Sequence, residues 1–213
     1  MGLLVNCPLG SALGDIPIED CPESLGQIQK VIFQRVFSAS GVKNKFVIST
    51  ADPKDLASWT ALLAAADSTK VVPSPFISAP VVEAGAAREF GGGNETLSGI
   101  PITIGREPTT FTGSFIMTAQ KSVEALKTYQ GDNVGVFLID EYGRIVGLTD
   151  DHTTPTEFYP IPVSSLFVGD KVLGNLEGVD MNAVSWRFAP NWSDKLEIIK
   201  PTDFEALTGL VSP

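Results

Sequence analysis

The hydrophobic pattern of the chain is most regular in residues 111–147. Residues 111–117 are rich in side chains that suit a pleated strand, and residues 119–130 change to helical spacing with one apolar face. Gly131 follows at the position where a left-handed helix cap is expected. Residues 134–139 are almost continuously apolar, which predicts a strand that is covered on both faces.

A hairpin is predicted to follow this strand. Residues 140–143 have the composition of a turn, and residues 144–148 form the second arm. We expect Pro160 and Pro162 to separate two later strands, and the last two strands to pair with each other through residues 190–194. Further strands are predicted at residues 27–37, from β-branched and aromatic content, and at residues 45–49, 157–161, 164–171 and 196–199. Residues 182–190 alternate as a strand does, with Val184, Trp186 and Phe188 on one side.

Two more helices are predicted from their starting signals. Asp52 as the cap and Pro53 in the first turn predict a helix that ends near Ala66, with an apolar stripe packed in the core. Pro201 and the two polar residues after it predict a short terminal helix that ends near Leu207.

Residues 71–106 predict a long hairpin. Prolines punctuate its first extended arm, three successive glycines form the tip, and residues 100–104 form the return arm. The glycines lack the Lys-Ser or Lys-Thr ending of a phosphate-binding loop. We therefore expect the loop to become ordered against a neighbouring subunit, although a plain surface loop has the same composition. The residues of this candidate inter-subunit loop are Phe90, Gly91, Gly92, Gly93, Asn94, Glu95 and Thr96.

Residues 1–26 predict an extended N-terminal arm. They contain prolines and glycines without a sustained hydrophobic period, yet they carry many apolar side chains. Apolar arms dock on a surface, either of the same subunit or of a neighbour. The candidate inter-subunit residues of the arm are Leu3, Leu4, Val5, Leu9, Ile16 and Ile18.

Composition favours one domain, at residues 27–213, after the arm. The 213 residues are 43% hydrophobic, which excludes general disorder, and the 20 Gly and 15 Pro are spread along the chain as expected for short strands joined by turns. The predicted fold is β-rich α+β. We expect an antiparallel β-sandwich or barrel with two or three flanking helices, a long projecting hairpin and the extended arm.

The net charge limits the partners. The chain carries −10, with 10 acidic and 8 basic residues in positions 1–106 and 15 and 7 in positions 107–213, so the second half alone carries −8. Tight binding to nucleic acid needs clustered Lys and Arg, and docking to anionic lipid does too, so both are disfavoured. No apolar run approaches the length of a membrane span.

Few residues could carry chemistry. Cys7 and Cys21 could form a disulfide if the arm doubles back, but two free or buried thiols fit so few cysteines better. The single histidine, His152, follows Asp150 and Asp151, a trio that could bind a divalent cation or serve as acid and base. A solvated turn explains these neighbours more simply. We expect no metal, no cofactor, no catalytic residues and no enzymatic activity.

The layout of the chain resembles that of tail tube and related ring-forming virion proteins of tailed bacteriophages. The residues that carry the resemblance are 77–104 as hairpin and loop, 118–130 as flanking helix, and 134–146 with 184–199 as sheet strands. The resemblance implies a homo-oligomer that forms stacked hexameric rings. Hairpins and arms would bridge to the next ring and to other virion proteins, and the tube would conduct DNA out of the capsid without binding it specifically.

The resemblance also implies a location in the virion, after assembly in the cytoplasm of the bacterial host. An acidic lumen would let DNA slide, which the charge of the second half permits. Two alternatives stay open. One is another structural role, as a capsid decoration, connector or tail-completion protein or an adhesin-like sandwich. The other is a metal-dependent hydrolase that uses Asp150, Asp151 and His152.

Overall fold

A computed structural model describes residues 14–16, 18, 24–96, 99–174 and 178–211. The described residues form β-strands and three helices. The strands are β1 Ile28–Arg35, β2 Phe46–Val47, β3 Val71–Pro73, β4 Ile77–Glu83, β5 Ala87–Phe90, β6 Ile102–Arg106, β7 Thr109–Ile116, β8 Val134–Asp140, β9 Ile145–Thr149, β10 Glu157–Tyr159, β11 Ile161–Val172, β12 Met181–Phe188 and β13 Leu196–Ile199. The helices are α1 Leu56–Leu63, α2 Gln120–Lys127 and α3 Ala206–Gly209.

The chain divides into two compact units. The larger unit comprises Leu25–Ala84 and Pro108–Pro213, and it contains the hydrophobic core. The smaller unit comprises Met1–Ser24 and Gly85–Glu107, and it contains the two-stranded sheet of β5 and β6. Within the described residues, every strand pair is antiparallel.

Two sheets build the larger unit. The central sheet contains β1, β2, β3, β8, β9, β10 and β13, with β8 paired to both β1 and β9. The open sheet has the order β4-β7-β12-β11. Strand β11 joins the two sheets, because its first residues Ile161 and Pro162 pair with β8 and its remaining length pairs with β12. This architecture confirms the predicted β-rich α+β sandwich-like fold.

Two hydrophobic clusters cover the two faces of the central sheet. The cluster between the sheets includes Phe111 and Trp186, whose rings are stacked with centroids 3.9 Å apart, and it also holds the apolar face of α2. The cluster on the opposite face of the central sheet includes Trp59 from α1 and Phe137 from β8, with ring centroids 5.2 Å apart. The central sheet is therefore buried on both sides, while the open sheet uses only its inner side for the core.

The predicted unit at residues 111–147 is confirmed. Strand β7, helix α2 and the hairpin of β8 and β9 follow in the expected order. Gly131 has a φ of +87° after the helix, and Gly143 has a φ of +74° in the hairpin turn. All seven residues of β8 are buried, as the continuous apolar run predicts.

The predicted starts of two helices are wrong. Helix α1 begins at Leu56 with Asp55 at the cap position, because residues 52–55 form a separate turn in which the Asp55 N–H donates to the Asp52 carbonyl at 3.1 Å. The Leu56 N–H donates to the carboxylate of Asp203 at 2.9 Å, so a distant side chain caps α1. The terminal helix α3 also begins later than predicted, since the residues after Pro201 form bends.

The predicted pairing of the last two strands is also wrong. Strand β13 pairs with β9, because β12 already has a neighbour on each side, β7 and β11. Pro162 does not break a strand either, since it lies inside β11 opposite Gly135. The break between β10 and β11 is at Pro160 alone, and β2 is shorter than predicted.

None of the helices in the described part of the chain is long and apolar enough to cross a membrane.

Candidate assembly surfaces

The outer face of the open sheet is exposed. On β7 and β12 the buried and exposed positions alternate, so that Phe111 and Trp186 point into the core while Thr112 and Ser185 point away from it. Cross-strand pairs place the outward positions of the four strands in rows. The outward residues with a cross-strand partner are Ser78, Val81, Glu83, Thr110, Thr112, Ser114, Ile116, Ser164, Phe167, Val172, Met181, Ala183, Ser185 and Arg187.

This outer face is poor in charge. Among its described cross-strand positions, only Glu83 and Arg187 are charged, and Thr110 lies between them on β7. The chain as a whole has 40 charged residues in 213, as 25 acidic and 15 basic side chains. Depletion of charge on a surface is a property of the central parts of protein interfaces and of surfaces that do not bind ions or polyanions.

The open sheet has two free edges in the described part of the chain. Strand β4 pairs only with β7, and Val81 and Val82 near its end are 48% and 46% exposed. A bulge between Ser78 and Val81, with Pro80 inside it, protects the middle of this edge because proline lacks an N–H. The other edge is the part of β11 beyond Pro162, which pairs with β12 on one side only.

The glycine hairpin, residues 87–106, contains the predicted inter-subunit loop. Phe90 is the last residue of β5, and the other six residues of the candidate set lie in the connection to β6. The hydroxyl of Thr96 donates to the carbonyl of Ile100 at 2.8 Å and accepts from the Gly92 N–H at 3.1 Å. The three glycines at positions 91–93 all have positive φ, and a Cβ on Gly91 would lie 2.0 Å from Thr96 Cγ2.

The glycine hairpin exposes apolar side chains on both strands. All of β5 is exposed, and Phe90, Ile102 and Ile104 are 56%, 44% and 64% exposed. Phe90 and Ile102 are direct cross-strand partners and so share a face. An isolated two-stranded hairpin is marginally stable in water, and neighbouring exposed apolar side chains are typical of surfaces that contact another surface.

A second apolar surface, which the sequence did not predict, lies at one end of the open sheet. This end patch consists of Ile116, Met117, Val172, Leu173, Val179 and Met181, which are all between 36% and 79% exposed. Its members come from three strands and their ends, so no single stretch of sequence displays them together. The one feature of the sequence that could have predicted it is the presence of apolar residues at strand positions that face outward, namely Ile116, Val172 and Met181.

The predicted arm residues are only partly described. Leu3, Leu4, Val5 and Leu9 lie outside the described residues, as do Cys7 and Cys21. Ile16 and Ile18 are described and are 86% and 91% exposed.

A buried carboxylate holds the backbone at the start of the larger unit. Asp140 accepts hydrogen bonds from the Gly26 N–H at 3.2 Å, the Tyr142 N–H at 3.0 Å and the Arg144 N–H at 2.9 Å. The Arg144 guanidinium pairs with the same carboxylate at 2.6 Å. Burial alone would raise the pKa of Asp140, but the hydrogen bonds from Arg144 and Gly26 outweigh it and hold the pKa below its usual value.

The trio at positions 150–152 forms a turn. The Asp150 carboxylate accepts hydrogen bonds from the Thr156 hydroxyl and from the backbone N–H groups of Glu157 and Thr156, which together hold its pKa well below the usual range. Asp151 accepts from the Thr153 N–H at 2.8 Å. His152 lies at 3.0 Å from the carbonyl of Asp194. In the described chain, no three His, Cys, Asp or Glu side chains are grouped so that they could hold a metal.

Comparison with known proteins gives weak matches. No protein-family model matches the chain, and the search of curated proteins found no match. A chain of the structure titled "Virion of native gene transfer agent (GTA) particle" is 14% identical, with 58% of this chain and 84% of that chain covered and a TM-score of 0.32. A chain of the 6-fold symmetrised cryo-EM structure of the anti-feeding prophage (AFP) baseplate is 10% identical, with 84% and 97% covered and a TM-score of 0.32. The resemblance to virion structural proteins is thus weak, and TM-scores at this level do not establish a common fold.

Proposed function

We propose that this chain is a self-assembling structural protein of a virion, and specifically a tail tube subunit whose stacked rings conduct DNA. The observation that carries the proposal is the open sheet, in which four strands leave one face and two edges exposed. Beyond Pro162, β11 pairs only with β12, and β4 pairs only with β7, so the outer backbone groups of both strands lack a ladder partner among the described strands, although the Val168 carbonyl accepts a hydrogen bond from the Gln130 side chain at 3.2 Å. Such groups pair readily with strands of another chain.

Pairing between the two edges of neighbouring copies would build a ring. The edges β4 and β11 are different surfaces, so contact between them is heterologous, and contacts of this kind form a closed ring when the rotation from copy to copy closes. Closure turns the open sheets into one β-barrel without edges. Six copies are the number that the resemblance to tail tube proteins implies.

The charge-poor outer face of the open sheet would then line the channel. A surface that retains DNA neutralises phosphates with clustered Lys and Arg, whereas this face presents hydroxyl and apolar side chains, with Arg187 as its one cation among the described cross-strand positions. DNA would pass such a wall without being held. This lumen would be nearly neutral, in contrast with the acidic lumen that the charge of the second half permits.

The glycine hairpin would connect one ring to the next. Its exposed residues Phe90, Ile102 and Ile104 need a covering surface, and a neighbouring copy supplies one at the high local concentration of an assembly. We propose the same role for the N-terminal arm, whose Ile16 and Ile18 are almost fully exposed. The turn at positions 150–152 would have a structural role, and the chain would not be an enzyme.

Electron microscopy of the purified protein tests the proposal. We expect negatively stained long tubes from the natural chain, and folded subunits without tubes from a variant in which residues 90–96 are shortened to a two-glycine turn. Val42→Ser is a suitable control, because Val42 is an apolar residue with 61% exposure in a turn of the larger unit. It should assemble like the natural chain.

Other micrographs would contradict the proposal. Single closed rings or trimers would support a connector, tail-completion or capsid decoration protein instead. Long tubes from the shortened variant would show that tube formation does not need the glycine hairpin loop.

A further inference from the structure

Lys30 on β1 is a buried cation. The residue is only 6% exposed, and its ammonium donates hydrogen bonds to the carbonyls of Leu207 at 3.1 Å and Leu210 at 2.7 Å. An ammonium has three N–H donors, so one remains after these two bonds. The ring of Phe76, with its centroid 5.8 Å from Nζ, adds a weak attraction.

Within the described residues, Lys30 has no carboxylate partner. The ion pairs of Lys and Arg in this part of the chain are formed by Arg35, Lys45, Lys127, Arg144 and Lys171. Burial lowers the pKa of Lys30, because water solvates the charged form less there. A buried charge is stable when an opposite charge pairs with it, and neutral carbonyls supply only part of that compensation. The described fold therefore gives Lys30 no counter-charge, although the chain has 25 acidic residues against 15 basic ones.

Lys30 also lines a cavity inside the larger unit. The cavity has a volume of about 330 Å³, and residues of β1, β3 and α2 line it together with Tyr129 and Val211. Among its described lining residues Lys30 is the one charged side chain, and none is acidic. A cation in a wall without carboxylates favours an anionic ligand.

Two hydroxyl groups add donors to the cavity wall. Ser122 and Tyr129 line the cavity, and neither hydroxyl forms a hydrogen bond with the described part of the chain. Burial raises the pKa of Tyr129, so its hydroxyl keeps its proton at neutral pH. The hydroxyl of Ser74, by contrast, accepts from the Val31 N–H at 3.1 Å and donates to the Pro75 carbonyl at 2.7 Å. Hydroxyl donors beside an ammonium suit a carboxylate, which only accepts hydrogen bonds.

The rest of the cavity wall is mainly apolar. Its apolar members are Val72, Pro73, Pro75, Ala125, Leu126 and Val211. An inorganic anion would contact few of these side chains, whereas a ligand with an apolar body would remove them from water. A volume of this size lies at the lower end of the range of about 300–1,000 Å³ that is typical of small-molecule pockets.

We propose that this cavity binds a small carboxylic acid with an apolar body, whose carboxylate pairs with the Lys30 ammonium and accepts hydrogen bonds from Ser122 and Tyr129. The apolar body would pack against the prolines of β3 and the segment after it and against α2. Binding would not depend on assembly, because all the lining residues belong to the larger unit of a single copy.

Benzoate is a suitable probe, because it joins a carboxylate to an apolar ring, and benzamide is its uncharged counterpart. Isothermal titration calorimetry of the natural chain should detect benzoate binding, and benzamide should bind at least about tenfold more weakly. Benzoate should also raise the melting temperature as its concentration increases, since a ligand that binds only the folded state stabilises it. Absence of both benzoate effects, or equal binding of benzamide, would overturn the proposal.

Substitutions locate the binding site. Lys30→Met removes the ammonium and keeps an unbranched side chain, so it should weaken benzoate binding at least about tenfold. Because Lys30→Met also removes two internal hydrogen bonds, Ser122→Ala is a second variant that removes only a hydroxyl without a partner in the described chain, and it should weaken binding about threefold. Ser58→Ala is the matched control, since Ser58 is a half-buried serine of α1 outside the cavity, and it should bind benzoate as the natural chain does.

Other results would overturn a stated part of the proposal. Benzoate binding that is unchanged in both Lys30→Met and Ser122→Ala would place the benzoate elsewhere on the protein. Inorganic phosphate that binds as tightly as benzoate would overturn the apolar body of the ligand. Benzoate binding only after removal of residues 212–213 would show that the chain itself fills the cavity. The proposed function would remain in each case, because tube formation is measured separately.

Discussion

The central sheet and the open sheet differ in how many faces the chain covers. In the central sheet, β8 has seven buried residues in succession, because one face packs against the open sheet and the other against α1 and α3. In the open sheet, β12 alternates between buried Val184, Trp186 and Phe188 and more exposed residues between them. Both faces of the central sheet are buried within the subunit. Only the outer face of the open sheet remains available to other chains.

The largest expected effect is on the stability of the central sheet. Phe137 is fully buried, and its ring packs against Phe46, Trp59 and Phe158. Phe137→Ala should lower the free energy of unfolding by about 3–5 kcal/mol, because it leaves a cavity in a closely packed cluster. Phe167→Ala is the matched control on the open sheet. Because its ring is 55% exposed, this substitution should lower the free energy of unfolding by less than about 1 kcal/mol. Urea unfolding of both variants measures the difference, and equal losses would contradict the distinction between the sheets.

A smaller effect is expected at the turn between β8 and β9. Asp140→Asn removes the charge that pairs with Arg144, so we expect a loss of about 1–3 kcal/mol in the free energy of unfolding at neutral pH. Glu124→Gln on the exposed side of α2 is the control for the same chemical change and should be nearly neutral.

The pH dependence sharpens this prediction. The pKa of Asp140 is lower in the folded state than the unfolded value of about 3.9. Its carboxylate therefore stabilises the folded state above that pH, and the contribution is lost as the pH falls through the folded pKa. The difference between the natural chain and Asp140→Asn should narrow below about pH 4. A difference that stays constant to pH 2 would show that the charge is not the cause.

The smallest effect is expected on the outer face of the open sheet. Thr112→Glu should change the free energy of unfolding by no more than about 0.5 kcal/mol, because the side chain is exposed and contributes nothing to the core. Tubes should form as before if this face lines a channel. Loss of tubes in electron micrographs, with normal stability, would instead make the face a contact between subunits.

The sequence predicted which residues are buried better than it predicted which strands pair and which side chains bond. The alternation of Val184, Trp186 and Phe188 and the continuous run in β8 both follow from which faces are covered, and both predictions are confirmed. The pairing of β13 with β9 and the capping of α1 by Asp203 were not predicted. These contacts join positions far apart along the chain, and a local pattern contains no information about them.

The two candidate surfaces also differ in whether their residues are close together in the sequence. A hairpin with three glycines at its tip and residues 100–104 in its return arm was predicted from neighbouring residues, and β5 and β6 do pair on either side of these glycines. The predicted first arm is wrong, because β3 and β4 within it pair with β1 and β7 instead. The end patch was missed because Met117, Leu173 and Met181 belong to separate stretches that meet only in the open sheet. A role of either surface in assembly stays a prediction.

The sequence by itself determined the identity and order of most elements, the burial of β8 on both faces, the alternation of β12 and the position of the glycine loop, because hydrophobic period and backbone restrictions act over a few residues. Only the tertiary structure decided that β11 leaves the central sheet, that the open sheet keeps one face and two edges uncovered, and that an apolar patch forms at its end. The physical reason is that strand pairing satisfies backbone hydrogen bonds that are the same for every residue, so the choice of partner depends on how the whole core packs.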